Sequence, residues 1–173
     1  MRDISPAPAP RFLCDEMLGH LARYLRAAGY DVVLASGGVA DGQLLEQAQG
    51  EGRLFLTCDR GVGEHRLGRE LAVILRHGPL ASLARQLAWV IPIDWQAAPF
   101  TRCLVDNGQL RQATAAERLG LPEDLSGQEV RFCPVCRRRY WFGDHCRRLS
   151  ATLAEWQMAR AVQAKPGSQP ERG

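Results

Sequence analysis

The sequence predicts an α/β fold in which a parallel sheet carries helices on its faces, followed by a small cysteine-bearing β module. Two observations carry this. From Arg11 to Trp89, short apolar runs alternate with stretches of helical spacing through short links, in β-α-β-α-β order. That alternation belongs to parallel sheets, whose strands need helical crossovers. After Trp95 the periodic apolar stretches thin out, and cysteines and arginines cluster instead.

Arg11 to Asp15 reads as the first strand, and Met17 to Ala28 as a helix with apolar residues at helical spacing. Gly29 is placed as its C-terminal stop. Tyr30 to Ala35 is the second strand. Asp41 stands where a helix N-cap belongs, ahead of Gln43-Leu-Leu-Glu-Gln-Ala, and Gly50-Glu-Gly52 ends that helix. Arg53 to Cys58 is the third strand, Asp59 to Gly68 a glycine-punctuated loop, Leu71 to Leu75 the fourth strand, and Leu80 to Trp89 a further helix. Gln96-Ala-Ala-Pro99 reads as a hinge. The chain thus divides into a leader (1–10), an α/β domain (11–97), a ribbon-like β module (98–150), and a terminal helix with a tail (151–173). Leu153, Trp156 and Met158 are the apolar residues of that helix.

With 173 residues, 46% apolar and 24% charged, the composition is that of a globular protein. No apolar run approaches the roughly 20 residues that span a membrane, so no membrane partner is expected. The Pro/Ala-rich leader lacks the apolar core of a signal peptide, which points to a cytoplasmic address and a disordered segment. The tail from Pro166 should be disordered too. Net charge is +3, and of the 22 basic residues only Lys165 is a lysine. Arginine forks grip phosphates bidentately. Six cysteines in a cytosolic chain argue for metal or burial rather than disulfides.

Three carboxylates fall at element boundaries: Asp15 after strand one, Asp41 at a helix start, Asp59 after strand three, with Glu16 beside the first. The strands Arg11-Phe-Leu-Cys-Asp15 and Arg53-Leu-Phe-Leu-Thr-Cys-Asp59 share one design. Like charges gathered at one sheet edge call for a cation, and a hard ion such as Mg²⁺ or Mn²⁺ takes oxygen ligands. Such a site suits phosphodiester hydrolysis. The plainer readings are Asp41 as an N-cap, Asp15 as a cap of the first helix, and Asp59 as a turn residue. Cys14 and Cys58, one residue before each Asp, should face the other way and be buried, reduced neighbours.

Cys133-Pro-Val-Cys136 is a metal knuckle. Zinc normally joins two such knuckles, and the upstream partner is Cys103-Leu-Val-Asp106, with aspartate where a second cysteine is expected. A Cys₃Asp zinc site follows. The alternatives are His145 or Cys146 as fourth ligand, or a module that packs without metal. Arg131, Arg137, Arg138, Arg139, Arg147 and Arg148 are interleaved with Phe132, Tyr140, Trp141 and Phe142. Charge for phosphates and rings for bases are what single-stranded nucleic acid requires. Arg60 and His145 join the RNA-binding candidates. Some of the aromatics should instead form the module's core.

Arg11-Phe-Leu-Cys-Asp-Glu-Met-Leu-Gly-His-Leu-Ala-Arg-Tyr-Leu-Arg-Ala-Ala-Gly-Tyr-Asp31 resembles the opening of the Mut-seven C-terminal RNase domain, a PIN-like family. Asp41-x-x-Leu-Leu, Arg53-Leu-Phe-Leu-Thr-Cys-Asp-Arg60, Thr101-Arg-Cys, Cys133-Pro-Val-Cys136 and Tyr140-Trp-Phe-Gly-Asp-His145 follow in order. The resemblance implies a PIN-like three-layer α/β/α domain with an appended zinc ribbon and divalent-metal RNase activity. It maps the acidic set onto Asp15, Asp41 and Asp59, with Glu16 as candidate fourth carboxylate. PIN-like domains often pair, so a homodimer is admissible. Two departures stand out: Asp106 replaces a knuckle cysteine, and Cys146 replaces a frequent tryptophan. A non-catalytic RNA- or ribosome-associated adaptor is the rival reading. A third reading leaves the carboxylates as caps and the ribbon as a protein contact.

Overall fold

The structure is a computed structural model and describes residues 9–163. The leader expected to be disordered (1–10), apart from Ala9 and Pro10, and the tail from Pro166 fall outside the described residues. Four short parallel strands form the central sheet: β1 (Phe12–Cys14), β2 (Val32–Leu34), β3 (Leu54–Thr57) and β4 (Ala72–Ile74), in the order β2-β1-β3-β4. Each is shorter than its apolar run, but the ladder continues a step beyond, with the Asp15 N–H donating to the Leu56 carbonyl at 2.9 Å.

Alternation along the strands divides the core in two. Phe12, Cys14, Val32, Leu56 and Val73 face α1 (Gly19–Ala27), α4 (Leu80–Val90) and α5 (Asp144–Gln163), while Leu13 and Phe55 face α2 (Asp41–Glu51) and α3 (Arg66–Leu71). Helices on both faces make the three layers expected of a parallel sheet. Leu13 and Phe55 are fully buried, so truncating Phe55 to alanine costs about 3–5 kcal/mol. Cys14 and Cys58 lie buried in the same apolar cluster as free thiols, as their position before each Asp suggested.

Four local expectations change. The segment after Asp59 is a 3₁₀ turn (Gly61–Glu64) followed by α3, which also takes Leu71 from the expected fourth strand. Gly68 permits this, because a Cβ there would lie 1.9 Å from the Val62 carbonyl oxygen; the glycine is a packing site, not a break. Asp41 is not the cap of α2: Ala40 holds the cap position without a side-chain bond, and Asp41 is the first helical residue. There its charge suits the positive end of the helix dipole. The residues expected to form a hinge are bonded to the end of α1 through the N–H groups of Ala98 and Phe100, which donate to the carbonyls of Ala28 and Ala27. Gly29 has φ 100° and lies so close to this strap that a Cβ would meet the Ala98 oxygen at 2.3 Å.

The fourth change concerns α5, which begins at Asp144 rather than Ala151. Its first turns are polar and mask the periodicity, while Arg147 pairs with Asp144 one turn back. Cys146, Leu149, Leu153 and Trp156 form its buried stripe, and Met158 is exposed. Trp156 packs edge-on to Trp95, centroids 4.9 Å apart. Among the described residues no helix is long and apolar enough to cross a membrane.

Between α4 and α5 in the chain come the three strands of an antiparallel sheet, β5 (Arg111–Gln112), β6 (Val130–Phe132) and β7 (Arg139–Trp141), paired in that order. Its own core is small: Ala113, Val130 and Phe132, with Leu121 against them. A core of this size does not hold three strands alone, so the module depends on what it is tied to.

Candidate metal and nucleic-acid sites

The order β2-β1-β3-β4 means that the chain leaves β1 on one side and returns on the other. In open α/β sheets the crevice for ligands opens at that reversal, outside the C-terminal strand ends. Asp15 follows β1 and Asp59 follows β3, so both stand at the two strands flanking the reversal. Thr57, fully buried at the end of β3, joins them: its hydroxyl donates to Asp15 Oδ2 at 2.9 Å and accepts the Asp59 N–H at 3.0 Å. A second bond, from the Gly61 N–H to Asp59 Oδ1 at 2.7 Å, fixes the other carboxylate.

Glu16 reaches across to the β2–α2 loop, where a Cβ on Gly37 would lie 2.5 Å from its Oε2. Asp41 opens the helix that follows this loop. The four carboxyl groups therefore belong to one edge of the sheet. They do not form a tight triad: among the described residues, the one set of three or more ligand atoms all within 4.8 Å of each other lies elsewhere, in the cysteine module. The Thr57 hydroxyl links the Asp15 carboxylate to the Asp59 backbone, whereas Glu16 is turned to Gly37 and Asp41 opens α2. Arg60 is exposed directly after Asp59.

The tight set is Cys103, Asp106, Cys133 and Cys136. Two loops of matching backbone present it. In the first, the Cys103 N–H donates to the Gly108 carbonyl and the Asn107 N–H to that of Cys103; in the second, Cys133 donates to Arg138 and Arg137 to Cys133. Asn107 and Arg137 occupy equivalent left-handed positions, φ 69° and 61°. Asp106 thus occupies the place that Cys136 holds in its own loop. Cys103 Sγ and Cys136 Sγ are 3.6 Å apart, and Cys133 Sγ lies 3.3 Å from Asp106 Oδ2. A tetrahedral ion about 2.3 Å from sulfur and about 2.0 Å from oxygen would set these pairs about 3.8 and 3.5 Å apart. The group can bind a metal ion.

Electrostatics agree with a carboxylate that is ionised before any metal arrives. Burial pulls the Asp106 carboxyl upward, but hydrogen bonds from Cys136, the Gly108 N–H, Cys103 and Cys133 outweigh it and hold it at about 2. Burial, with the hydrogen bond to Asp106 next, pushes the Cys136 thiol up to about 12. Metal binding would therefore have to displace thiol protons. Neither of the alternative fourth ligands joins the set: Cys146 is buried on α5, and His145 Nε2 lies 2.6 Å from Arg23 Nη2.

The basic and aromatic residues are divided between support and surface. Tyr140 is half-buried, with its hydroxyl 3.0 Å from Cys103 Sγ. Phe142 is exposed and stands edge-on to Phe100. Arg139 is anchored to the carbonyls of Glu117 and Leu119, Arg131 to that of Phe100, and Arg147 to Asp144. Arg137, Arg138 and Arg148 are exposed. A groove of about 780 Å³ gathers Arg137, Arg138, Arg139, Trp141 and His145 from the module, and Arg23 from α1.

Sequence reasoning missed Thr57, Arg23 and Asn107. Thr57 could have been found from the two-residue period, which puts it on the same face of its strand as Asp15 has on β1. Nothing in the sequence pairs Arg23 with His145. Asn107 accepts the Val32 N–H at 2.9 Å and donates to Asp31 Oδ1 at 2.8 Å, and Arg26 donates to the carbonyls of Val32, Leu104 and Val105. These bonds fasten the first metal loop to β2.

The model of one family, described as the Mut7-C RNAse domain, matches residues 10–153. The chain belongs to that family. No curated protein and no solved structure matches it.

Proposed function

Starting from that membership, we propose that the protein is a divalent-metal-dependent ribonuclease that hydrolyses phosphodiester bonds of single-stranded RNA, with the cysteine module as a zinc ribbon that holds the strand. The observation that carries this reading is the pair Asp15 and Asp59 at the sheet reversal, the first carboxylate held by the buried Thr57 hydroxyl, which also accepts the Asp59 N–H, and the second by the Gly61 N–H. Mg²⁺ keeps several waters and takes one or two carboxylates directly. Asp15 and Asp59 would fill that role, with Asp41 and Glu16 acting through water. This suits the spacing observed better than a triad of direct ligands does. A bound Mg²⁺ or Mn²⁺ supplies an acidified water and charge neutralisation at the scissile phosphate. The chain's own residues orient the two carboxylates and place Arg60 beside them. In the module, three sulfurs and one oxygen at near-tetrahedral separations favour zinc among the common ions.

The test is cleavage of a single-stranded RNA with added Mn²⁺ by the wild type, Asp15→Asn and Asp59→Asn. Both variants should lose cleavage and keep RNA affinity. Unchanged cleavage in both would exclude this edge as the active site. A wild type that binds RNA without cutting it would leave the adaptor reading in its place.

A further inference from the structure

The metal module and the carboxylate edge lie at opposite ends of the sheet. The module is fastened at Asp31 and Val32, where β2 begins, and the Phe12 N–H that opens β1 donates to the Asp31 carbonyl at 2.9 Å. Asp15 and Asp59 stand at the other end, after the last residues of β1 and β3. An RNA strand held in the groove of the module is therefore not yet at the carboxylates. Something must lead it there.

Helix α1 spans this distance. It starts one 3₁₀ turn (Glu16–Leu18) after Asp15 and runs back towards the module's end of the sheet. Its buried face carries Leu21, Ala22 and Leu25, and its exposed face carries His20 and Arg23, three residues apart and hence neighbours on the helix surface. Arg23 already lines the groove, and its Nη2 lies 2.6 Å from His145 Nε2. Guanidinium has no acceptor, so it donates and the imidazole nitrogen accepts. Arg23 thus stands in both places, at the rim of the module's groove and on the helix that leads to Asp15. The groove is strongly basic: its one acidic side chain, Asp144, is paired with Arg147.

We propose that single-stranded RNA runs along the exposed face of α1, with Arg23 and His20 taking successive backbone phosphates between the module's groove and the carboxylate edge. This rests on the ribonuclease reading and adds a direction and a length to it. Asp15 and Arg23 are separated by the 3₁₀ turn and the first turn of α1, about 12–14 Å at rises of ~2.0 and ~1.5 Å per residue. At the ~3.4 Å spacing of a stacked strand, the bond to be cut lies about three to four nucleotides from the one at Arg23. Arg23 is a positioning residue for the substrate, not a group at the reacting atoms.

The experiment is fluorescence anisotropy of a labelled uridine oligomer, about twelve nucleotides long and within the roughly 4–16-nucleotide range of single-strand sites. It is titrated at several salt concentrations with no divalent ion added. Wild type, Arg23→Ala, Arg23→Lys and Arg138→Ala are compared, with thermal melts to check the fold. One lost phosphate contact shortens the slope of log affinity against log salt by about 0.7. Arg23→Ala should show that loss and bind about tenfold more weakly, the lower end for a charge-assisted hydrogen bond. An adenosine oligomer should show the same loss, because phosphate contacts do not read sequence. Arg23→Lys should restore the slope. In cleavage, Arg23→Ala should raise KM and leave kcat in place. A wild-type slope and affinity in Arg23→Ala, beside a loss in Arg138→Ala, would overturn the track along α1 and leave the module's role standing. No RNA binding by the wild type would overturn the ribonuclease reading and the track with it.

Discussion

Replacing Asp31 by asparagine should weaken the fold by an amount that depends on pH. Asp31 sits just ahead of β2 and gathers the charges around it. Its Oδ1 accepts from Arg53 Nη1 at 2.7 Å and from Asn107 Nδ2 at 2.8 Å, and its Oδ2 from Arg11 Nε at 3.2 Å. Arg102 Nη2 lies 3.6 Å away. Burial raises the carboxyl's pKa, but the hydrogen bonds from Arg53 and Asn107 and the charges of Arg53 and Arg102 outweigh it, and it is held at about 2. An unfolded aspartate titrates near 3.9, and each unit of difference is worth about 1.36 kcal/mol. The gap of nearly two units corresponds to about 2.5 kcal/mol. With the side chain 19% exposed, solvent screening trims this to about 2 kcal/mol. Because the folded pKa is the lower one, the contribution is complete above the unfolded pKa and is lost as pH falls towards about 2. Urea unfolding of the wild type and Asp31→Asn at pH 7 should differ by about 2 kcal/mol, and at pH 3 by about half as much. Acid strips metal from both proteins alike, so the comparison survives it. An equal difference at the two pH values would refute the argument, because the loss would then come from packing and not from the ionised carboxylate.

Two further outcomes are expected. In the metal module, Asp106→Cys should keep or raise zinc affinity in a chelator competition. Asp106→Ala should lower it by at least about 100-fold, the upper end of what losing even an outer partner costs; equal affinity in Asp106→Ala would remove Asp106 from the ligand set. At the carboxylate edge, Thr57→Val keeps the shape and deletes the bridge. It strands the Asp59 N–H, so urea unfolding should show a loss of about 1–3 kcal/mol. Mn²⁺-stimulated cleavage should fall while RNA affinity stays, and full cleavage by this variant would mean that the bridge orients nothing that matters.

Much of the fold could be read in the sequence because it rests on local periodicity. The strand cores, α1, α2 and α4 all announce themselves through apolar spacing. What escaped depends on contacts between distant segments. Gly68 looks like a breaker until Val62 is seen against it, and α3 was lost for that reason. The start of α5 was hidden because its first turn is spent on polar residues, with Arg147 paired to Asp144. The clustering of Cys103, Asp106, Cys133 and Cys136 was legible from their spacing, since two-residue gaps in two loops bring such side chains together locally. The carboxylate edge was legible only as a set of boundaries. The link between the Asp15 carboxylate and the Asp59 backbone depends on Thr57, and that follows from strand register rather than from spacing.

The position of the metal loop bears on the sheet as well as on RNA. β2 is an edge strand, and an edge strand presents unpaired N–H and C=O groups to any passing chain. In this fold Val32 is covered on that side: its N–H donates to Asn107 Oδ1 at 2.9 Å, and its carbonyl accepts from Arg26 Nε, also at 2.9 Å. Asn107 can do this because the residue sits in the left-handed turn that closes the Cys103–Asp106 loop. Arg26, 6% exposed, can do it because the same loop's carbonyls at Leu104 and Val105 take its other donors. Opening the metal loop would thus strand the Val32 N–H and leave the Arg26 guanidinium without two of its three acceptors. Each loss is of the order of 1–3 kcal/mol for a buried polar group. The integrity of the Cys103–Asp106 loop and the closure of the α/β sheet are therefore parts of one folding unit, which gives a module with so small a core of its own its tie to the larger one.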